Sequence, residues 1–303
     1  MLARGYSQVL PPKPLENHLC ELFDVPFQLD VPVAPVSAAF DGLPDGCWLR
    51  ADPVHLEMQR DQLLLSSVLP NDEEAAEFRM ILNSHFADQE MTFFAPHSQR
   101  WYVRPGTLPD ILTMPLSAVI GANVRDALPT GADAVRWHQL FNEIQMLLFE
   151  HPLNQAREAR GELSVNSVWL WGGGNSASLV CESYDRVSSD EVLLEMLAKG
   201  AGVPFSAWSV QWNEAGSDAR QLLVWTGLSL ALQGGDLAAW RTALLDFEIT
   251  YAQPIWHALR NGKLAQLQID ILGGDGIRSL LLKSSDTWVF WRRVRHLAEY
   301  SLV

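Results

Sequence analysis

The stretch Asn166 to Gly174, NSVWLWGGG, has the residue types best suited to meet a small ligand. An apolar run with two tryptophans ends in three glycines, Gly172, Gly173 and Gly174, followed by Asn175 and Ser176. A glycine loop after a strand lets backbone N–H groups approach an anion, because no Cβ stands in the way. It is not a Walker A motif, since no Gly-Lys-Ser/Thr follows, and GGGNSA lacks the spacing of a dinucleotide fingerprint. A tight turn with close packing is the plain alternative, and the residue types alone do not separate the two.

Arginines and amides form a second set: Arg50, Arg100, Arg104, Asn154, Arg157, Arg160 and Asn166. Guanidinium forks suit bidentate recognition of phosphate or carboxylate. From the two sets, the expected ligand contacts are Gly172, Gly173, Gly174, Asn166, Trp171, Asn154, Arg157, Arg50 and Arg100. The alternative pairs these arginines with Glu143, Glu158 or Glu162 and uses Asn154 and Asn166 to satisfy buried backbone. No catalytic residue is assigned. There is no Gly-x-Ser-x-Gly motif, and Cys181 has no histidine near it in sequence. His55 lies three residues after Asp52, a spacing that puts the two on opposite faces of a strand. His151, before Pro152, is expected to cap the preceding helix at its carbonyl end. Trp288, Phe290, Trp291, Arg292 and Arg293 form a late aromatic-basic cluster, read as a core strand with solvated arginines.

These residues need elements to hold them. CWLRADPVHLEM, QLLLSS, MTFFAP and RWYVRP read as strands. A helix capped by Asn71 or Asp72 runs to about His85 with Phe78, Ile81, Leu82 and Phe86 on one face. A second, Ala132 to Glu150, carries Trp137, Leu140, Phe141, Ile144, Leu147 and Leu148. Later come a helix from Asp190 to Lys199, an apolar strand QLLVWTG, a long helix from Asp236 to about Leu259, and two strands joined by GGDG. Alternating strands and helices argue α/β layering. The first 45 residues hold seven prolines and are expected to be a mostly extended arm, with a short helix near Asn17 to Phe23. Residues 46–303 are expected to form the main domain, with a sub-boundary near 160.

The chain of 303 residues is 48% hydrophobic and 19% charged, a globular composition. Its net charge of −14 repels phosphate backbones and anionic membranes, which argues against nucleic acid and membrane partners. Three scattered cysteines make neither a disulfide framework nor a zinc pattern. With no signal-peptide core and no apolar run of ~20 residues, the expected location is cytoplasmic.

Taken in order, LRADPVHL, EEAAEF, FFAPHSQRWYV, ALPTGADAVRWHQLFNEIQMLL, HPLNQAREARG and NSVWLWGGG resemble the middle of archaeal-type cofactor-independent phosphoglycerate mutases. Bacterial RpfE-type regulatory proteins, often described as mutase-like, are the closer match. The likeness runs from about Cys47 to Phe205. It implies an alkaline-phosphatase-like scaffold, α/β with a central mixed sheet and helices on both faces. It also implies, for the family, two divalent metals and a hydroxyl nucleophile. This chain departs from that chemistry: no opening strand ends in Asp, and no late Asp-x-x-Gly-His segment or Asp-His pair follows. His257 and His296 stand without such company.

The expectation is therefore a phosphoglycerate-mutase-like regulatory or binding protein, a pseudoenzyme without metal or other cofactor, taking a small phosphorylated or carboxylate ligand. Two alternatives stay open. One is an active phosphate-handling enzyme, a mutase or phosphatase with an altered site and a divalent metal. The other is a scaffold for a protein partner.

Overall fold

The computed structural model describes residues 1, 3–26, 28–209, 211–212 and 219–288, without the side chains of residues 230 and 233. The positions Phe290, Trp291, Arg292, Arg293 and His296 lie outside the described residues. The chain opens with β1 (Tyr6–Leu10), α1 (Leu15–Leu22) and α2 (Val33–Phe40). It continues through β2 (Cys47–Gln59), β3 (Gln62–Ser67), α3 (Asp72–His85), β4 (Met91–His97) and β5 (Arg100–Pro105). After α4 (Leu116–Val119) come α5 (Ala134–Phe149), α6 (Pro152–Ala159) and β6 (Ser167–Asn175). The last part holds β7 (Arg186–Ser189), α7 (Val192–Gly200), β8 (Phe205–Ala207), β9 (Gln221–Val224), α8 (Ser229–Gln233), α9 (Leu237–Phe247), α10 (Gln253–Arg260), β10 (Gln266–Gly273) and β11 (Gly276–Lys283).

The chain divides into two units, Cys20–Val180 and the pair of segments Met1–Leu19 with Cys181–Val303. The first 45 residues are thus shared between both units. They are also more regular than an extended arm. Helix α2 forms despite Pro35, which sits in its first turn, where a missing N–H costs no helical bond.

In the unit Cys20–Val180 the strands make one five-stranded antiparallel sheet, β3-β2-β5-β4 with β6 added to β2. Period-2 alternation gives each strand two faces. Leu49, Ala51, Trp101, Val103, Val168 and Leu170 point to one face and meet Phe78 and Leu82 of α3 and Ile144 and Leu148 of α5. Trp48 and Tyr102 point to the other and meet Ala34 and Ala38 of α2. The expected helical stripes of α3 and α5 are these buried faces. Asn71 caps α3 reciprocally with Glu74, each side chain accepting the other's backbone N–H. Pro53 is tolerated inside β2 because pairing with β5 stops at Arg50↔Tyr102.

In the other unit, β8-β7-β9 is a parallel sheet with α7 as the crossover between its first two strands. β1-β11-β10 is antiparallel, with β10 and β11 meeting at Gly273↔Gly276 as the GGDG signal implied. The expected helix from Asp236 to Leu259 runs without a gap as α9, a π-helical turn at Glu248–Ala252 and α10, with right-handed helical backbone at both junctions. Pro254, the second residue of α10, has no N–H for the ladder, and the wider turn precedes it. The chain is α/β, with its strands spread over three sheets among the described residues. No helix among those residues is long and apolar enough to cross a membrane.

Candidate functional site

Three adjacent strands bring a cation, a carboxylate and aromatic rings to one face of the five-stranded sheet. Arg50 stands opposite Tyr102 on β5 and opposite Trp171 on β6. Its guanidinium carbon lies 5.3 Å from each ring centroid, so the cation sits between two π faces. Asp52, two residues on and therefore on the same face, takes the guanidinium at 2.6 and 3.1 Å. The Asp52 carboxylate also accepts the Trp171 indole N–H at 2.8 Å and the Trp101 backbone N–H at 3.3 Å. Both charged residues are buried, Arg50 at 7% and Asp52 at 2% exposure.

The network continues through Tyr102, whose hydroxyl donates to Asp41 at 2.6 Å. Arg100 binds Asp41 with both arms of its fork, at 2.6 and 2.9 Å. Burial alone would raise the Asp41 carboxyl. The bonds from Arg100 and Tyr102 and the charges of Arg100 and Arg50 outweigh it and hold the group below its usual range. Burial first, and then the bond to Asp41, push the Tyr102 phenol up, so it stays protonated as a donor. A lowered folded-state value means that Asp41 stabilises above the unfolded-chain value, near pH 4, and loses that contribution as pH falls through its folded value. The stability difference between wild type and Asp41→Asn is therefore expected to be large at about pH 6 and to shrink as pH falls below the unfolded-chain value of about 4. Urea midpoints at about pH 6 and through the acid range check this, and a difference that does not shrink in acid overturns it.

The other expected contacts are equally committed. Arg157, 3% exposed, pairs with Glu74 and donates Nε–H to the Leu163 carbonyl at 2.9 Å. Arg160 reaches the second oxygen of Glu74 at 2.6 Å. Asn154, 1% exposed, donates to the carbonyls of Leu148 and Val165 and accepts from Val165 N–H. Asn166 satisfies both backbone groups of Leu56. His151 caps forward rather than backward: its Nδ1 accepts from Leu153 N–H at the start of α6. Proline at the first helical position leaves that helix start to be satisfied by the residue before it.

Gly172, Gly173 and Gly174 do not form a loop beyond the strand. They lie inside β6, with Gly174 opposite Trp48 on β2. The absence of Cβ lets α2 close on them. A Cβ on Gly174 would lie 2.5 Å from Pro32 Cβ, and one on Gly172 3.1 Å from Val33 Cβ. The N–H of Gly172 donates to the Thr113 hydroxyl at 2.9 Å, and that hydroxyl donates to Asp30. The Asp30 carboxylate also accepts from Gly173 and Val31 N–H groups, while burial raises its pKa. So the glycine N–H groups do face an anion, and it is the chain's own Asp30. The cavity beside Gly173 and Asp30 measures about 10 Å³, the size of one water.

The structure thus brings Arg50, Trp171 and Arg100 into one network, and sets Arg157 with Asn154, Asn166 and the glycines elsewhere in the same unit. Sequence reasoning missed Asp30, Asp41, Asp52, Glu74 and Tyr102, the partners of these groups. For Asp52 the spacing from Arg50 was a usable signal, and for Glu74 the capping box. A two-metal centre needs several carboxylate and imidazole ligands in one place. Among the described residues no three His, Cys, Asp or Glu side chains converge to hold a metal ion, so this donor set does not fit such a centre.

No family model matches the chain. Over 70 residues it is 34% identical to the 2,3-bisphosphoglycerate-independent phosphoglycerate mutase of Methanothrix thermoacetophila, covering 23% of this chain and 18% of that one. Over 137 residues it is 24% identical to the corresponding mutase of Methanosarcina barkeri, covering 44% of this chain and 34% of the relative. The similarity spans less than half of this chain and about a third or less of each relative's length. Among solved structures, the cofactor-independent phosphoglycerate mutase of Thermoplasma acidophilum aligns with 99% of this chain and 85% of its own, at 14% identity and a TM-score of 0.41.

Proposed function

We propose that this chain is a phosphoglycerate-mutase-like binding or regulatory protein that does not carry out metal-dependent mutase chemistry. The observation that supports it is the internal commitment of the polar groups best suited to a substrate. Arg50 is bound to Asp52, Arg100 to Asp41, Arg157 to Glu74, and the glycine N–H groups to Thr113 and Asp30. Freeing a buried guanidinium for a ligand strands its carboxylate, which costs more than the exchange returns. Among the described residues no three His, Cys, Asp or Glu side chains come together, which supports the non-catalytic reading.

The second reading, an active phosphate-handling enzyme, draws on the local sequence similarity to the mutases. Purified protein incubated with 3-phosphoglycerate and manganese, followed by phosphorus NMR, distinguishes the two. The expected result is no conversion to 2-phosphoglycerate and no release of phosphate above buffer. Conversion abolished by a chelator and restored by manganese overturns the proposal.

A further inference from the structure

One groove in the unit Cys20–Val180 holds charged groups that the networks above leave unused. It has a volume of about 230 Å³ and runs along α5 beside the start of β4, floored by Trp137 and Leu140. Its polar lining is Arg136, Gln139 and Glu143 from α5, with Gln89 across from them. Positions 136, 139, 140 and 143 follow the i, i+3, i+4, i+7 spacing of one helix face. Among the described residues Arg136 has no ion-pair or hydrogen-bond partner. Glu143 receives only a long contact from the Gln89 amide, at 3.5 Å.

A rise of ~1.5 Å per residue sets the Cα atoms of Arg136 and Glu143 roughly 10 Å apart. A cationic and an anionic residue thus stand about two turns apart along the groove, with Gln139 between them in sequence and Gln89 against Glu143. Arg136 is also in the first turn of α5, where the helix dipole favours negative charge. A free dianion such as phosphate meets Glu143 in the same groove and is disfavoured. A ligand with a carboxylate at one end and an ammonium at the other satisfies both. An extended peptide advances at most ~3.3–3.6 Å per residue, so three residues cover the distance.

We propose that this groove binds a short zwitterionic peptide of about three residues. Its carboxylate lies on Arg136, its ammonium on Glu143, and its peptide groups face Gln139 and Gln89. The inference rests on the reading of the chain as a binding protein and gives the ligand class.

Isothermal titration with trialanine, its N-acetyl form, its C-terminal amide and inorganic phosphate tests it, using the full chain. Trialanine is expected to bind with 1:1 stoichiometry. Arg136→Gln and Glu143→Gln, both surface changes on one helix, are each expected to weaken it about tenfold or more, as loss of a charge-assisted contact does. The amide is expected to be insensitive to Arg136→Gln, and the acetylated peptide to Glu143→Gln. No saturable trialanine binding, binding unchanged in Arg136→Gln, or tighter binding of phosphate than of trialanine overturns the groove assignment. Those failures leave the non-catalytic reading standing, whereas phosphoglycerate turnover overturns that reading alone.

Discussion

Asp52→Ala is expected to destabilise the protein by about 3–5 kcal/mol, the usual cost of removing one partner from a buried ion pair. Urea unfolding followed by tryptophan fluorescence measures it. The magnitude follows from what the carboxylate does. It takes the Arg50 guanidinium, the Trp171 indole N–H and the Trp101 backbone N–H. Alanine leaves all three donors buried, and one of them charged. Arg50→Met also breaks the buried pair and strands the Asp52 carboxylate, so it too is expected to be strongly destabilising. It is expected to cost somewhat less, because Asp52 keeps the Trp171 and Trp101 donors and methionine fills the space of the guanidinium stem. The order of the two variants is the sharper test: if Arg50→Met is as damaging as Asp52→Ala, the carboxylate is not the hub of the network.

Much of the unit Cys20–Val180 was legible in its residues. The stripes of α3 and α5 are long and regular, so the 3.6-residue period stood out, and Asn71 announced its own cap. What no local pattern carried was the pairing of β2 with β6, strands more than a hundred residues apart that together build the site. The i, i+2 spacing of Arg50 and Asp52 puts them on one face of a strand, a local signal that was present but not used. That Tyr102 and Trp171 close on the guanidinium depends on which strands flank β2, a tertiary fact. The arginines looked available because sequence shows charge but not partners. Glu74 lies more than eighty positions from Arg157 and Arg160, yet it pairs with both, and the nearby Glu162 supplies the second negative charge. The apolar stripe from Asp236 onward read as one long helix, and the chain is helical throughout it; only the π turn at Glu248–Ala252, just before Pro254, departs from the α ladder.

Gly174→Ala is expected to cost about 1–3 kcal/mol, the range for forcing extra volume into a packed site. The new methyl would lie 2.5 Å from Pro32 Cβ and 3.1 Å from the Gln28 amide oxygen. Neither neighbour gives way freely. Pro32 is a rigid ring at the start of α2, and Gln28 is held because its amide bonds both backbone groups of Asn175. Gly172→Ala carries a different penalty, since its φ of +67° is a left-handed conformation that costs a side-chain residue about 1–2 kcal/mol. Gly173→Ala meets Leu49 Cγ at 3.3 Å and Leu108 Cδ1 at 3.8 Å, side-chain contacts that a shift of a few tenths of an ångström relieves, and is expected to be the mildest. A thermal-melt series over the three variants therefore ranks Gly173 last. That ranking separates packing from ligand contact, because Gly173 is the glycine that borders the cavity beside Asp30. If Gly174→Ala melts with wild type, the close approach of α2 is not what the glycine run provides.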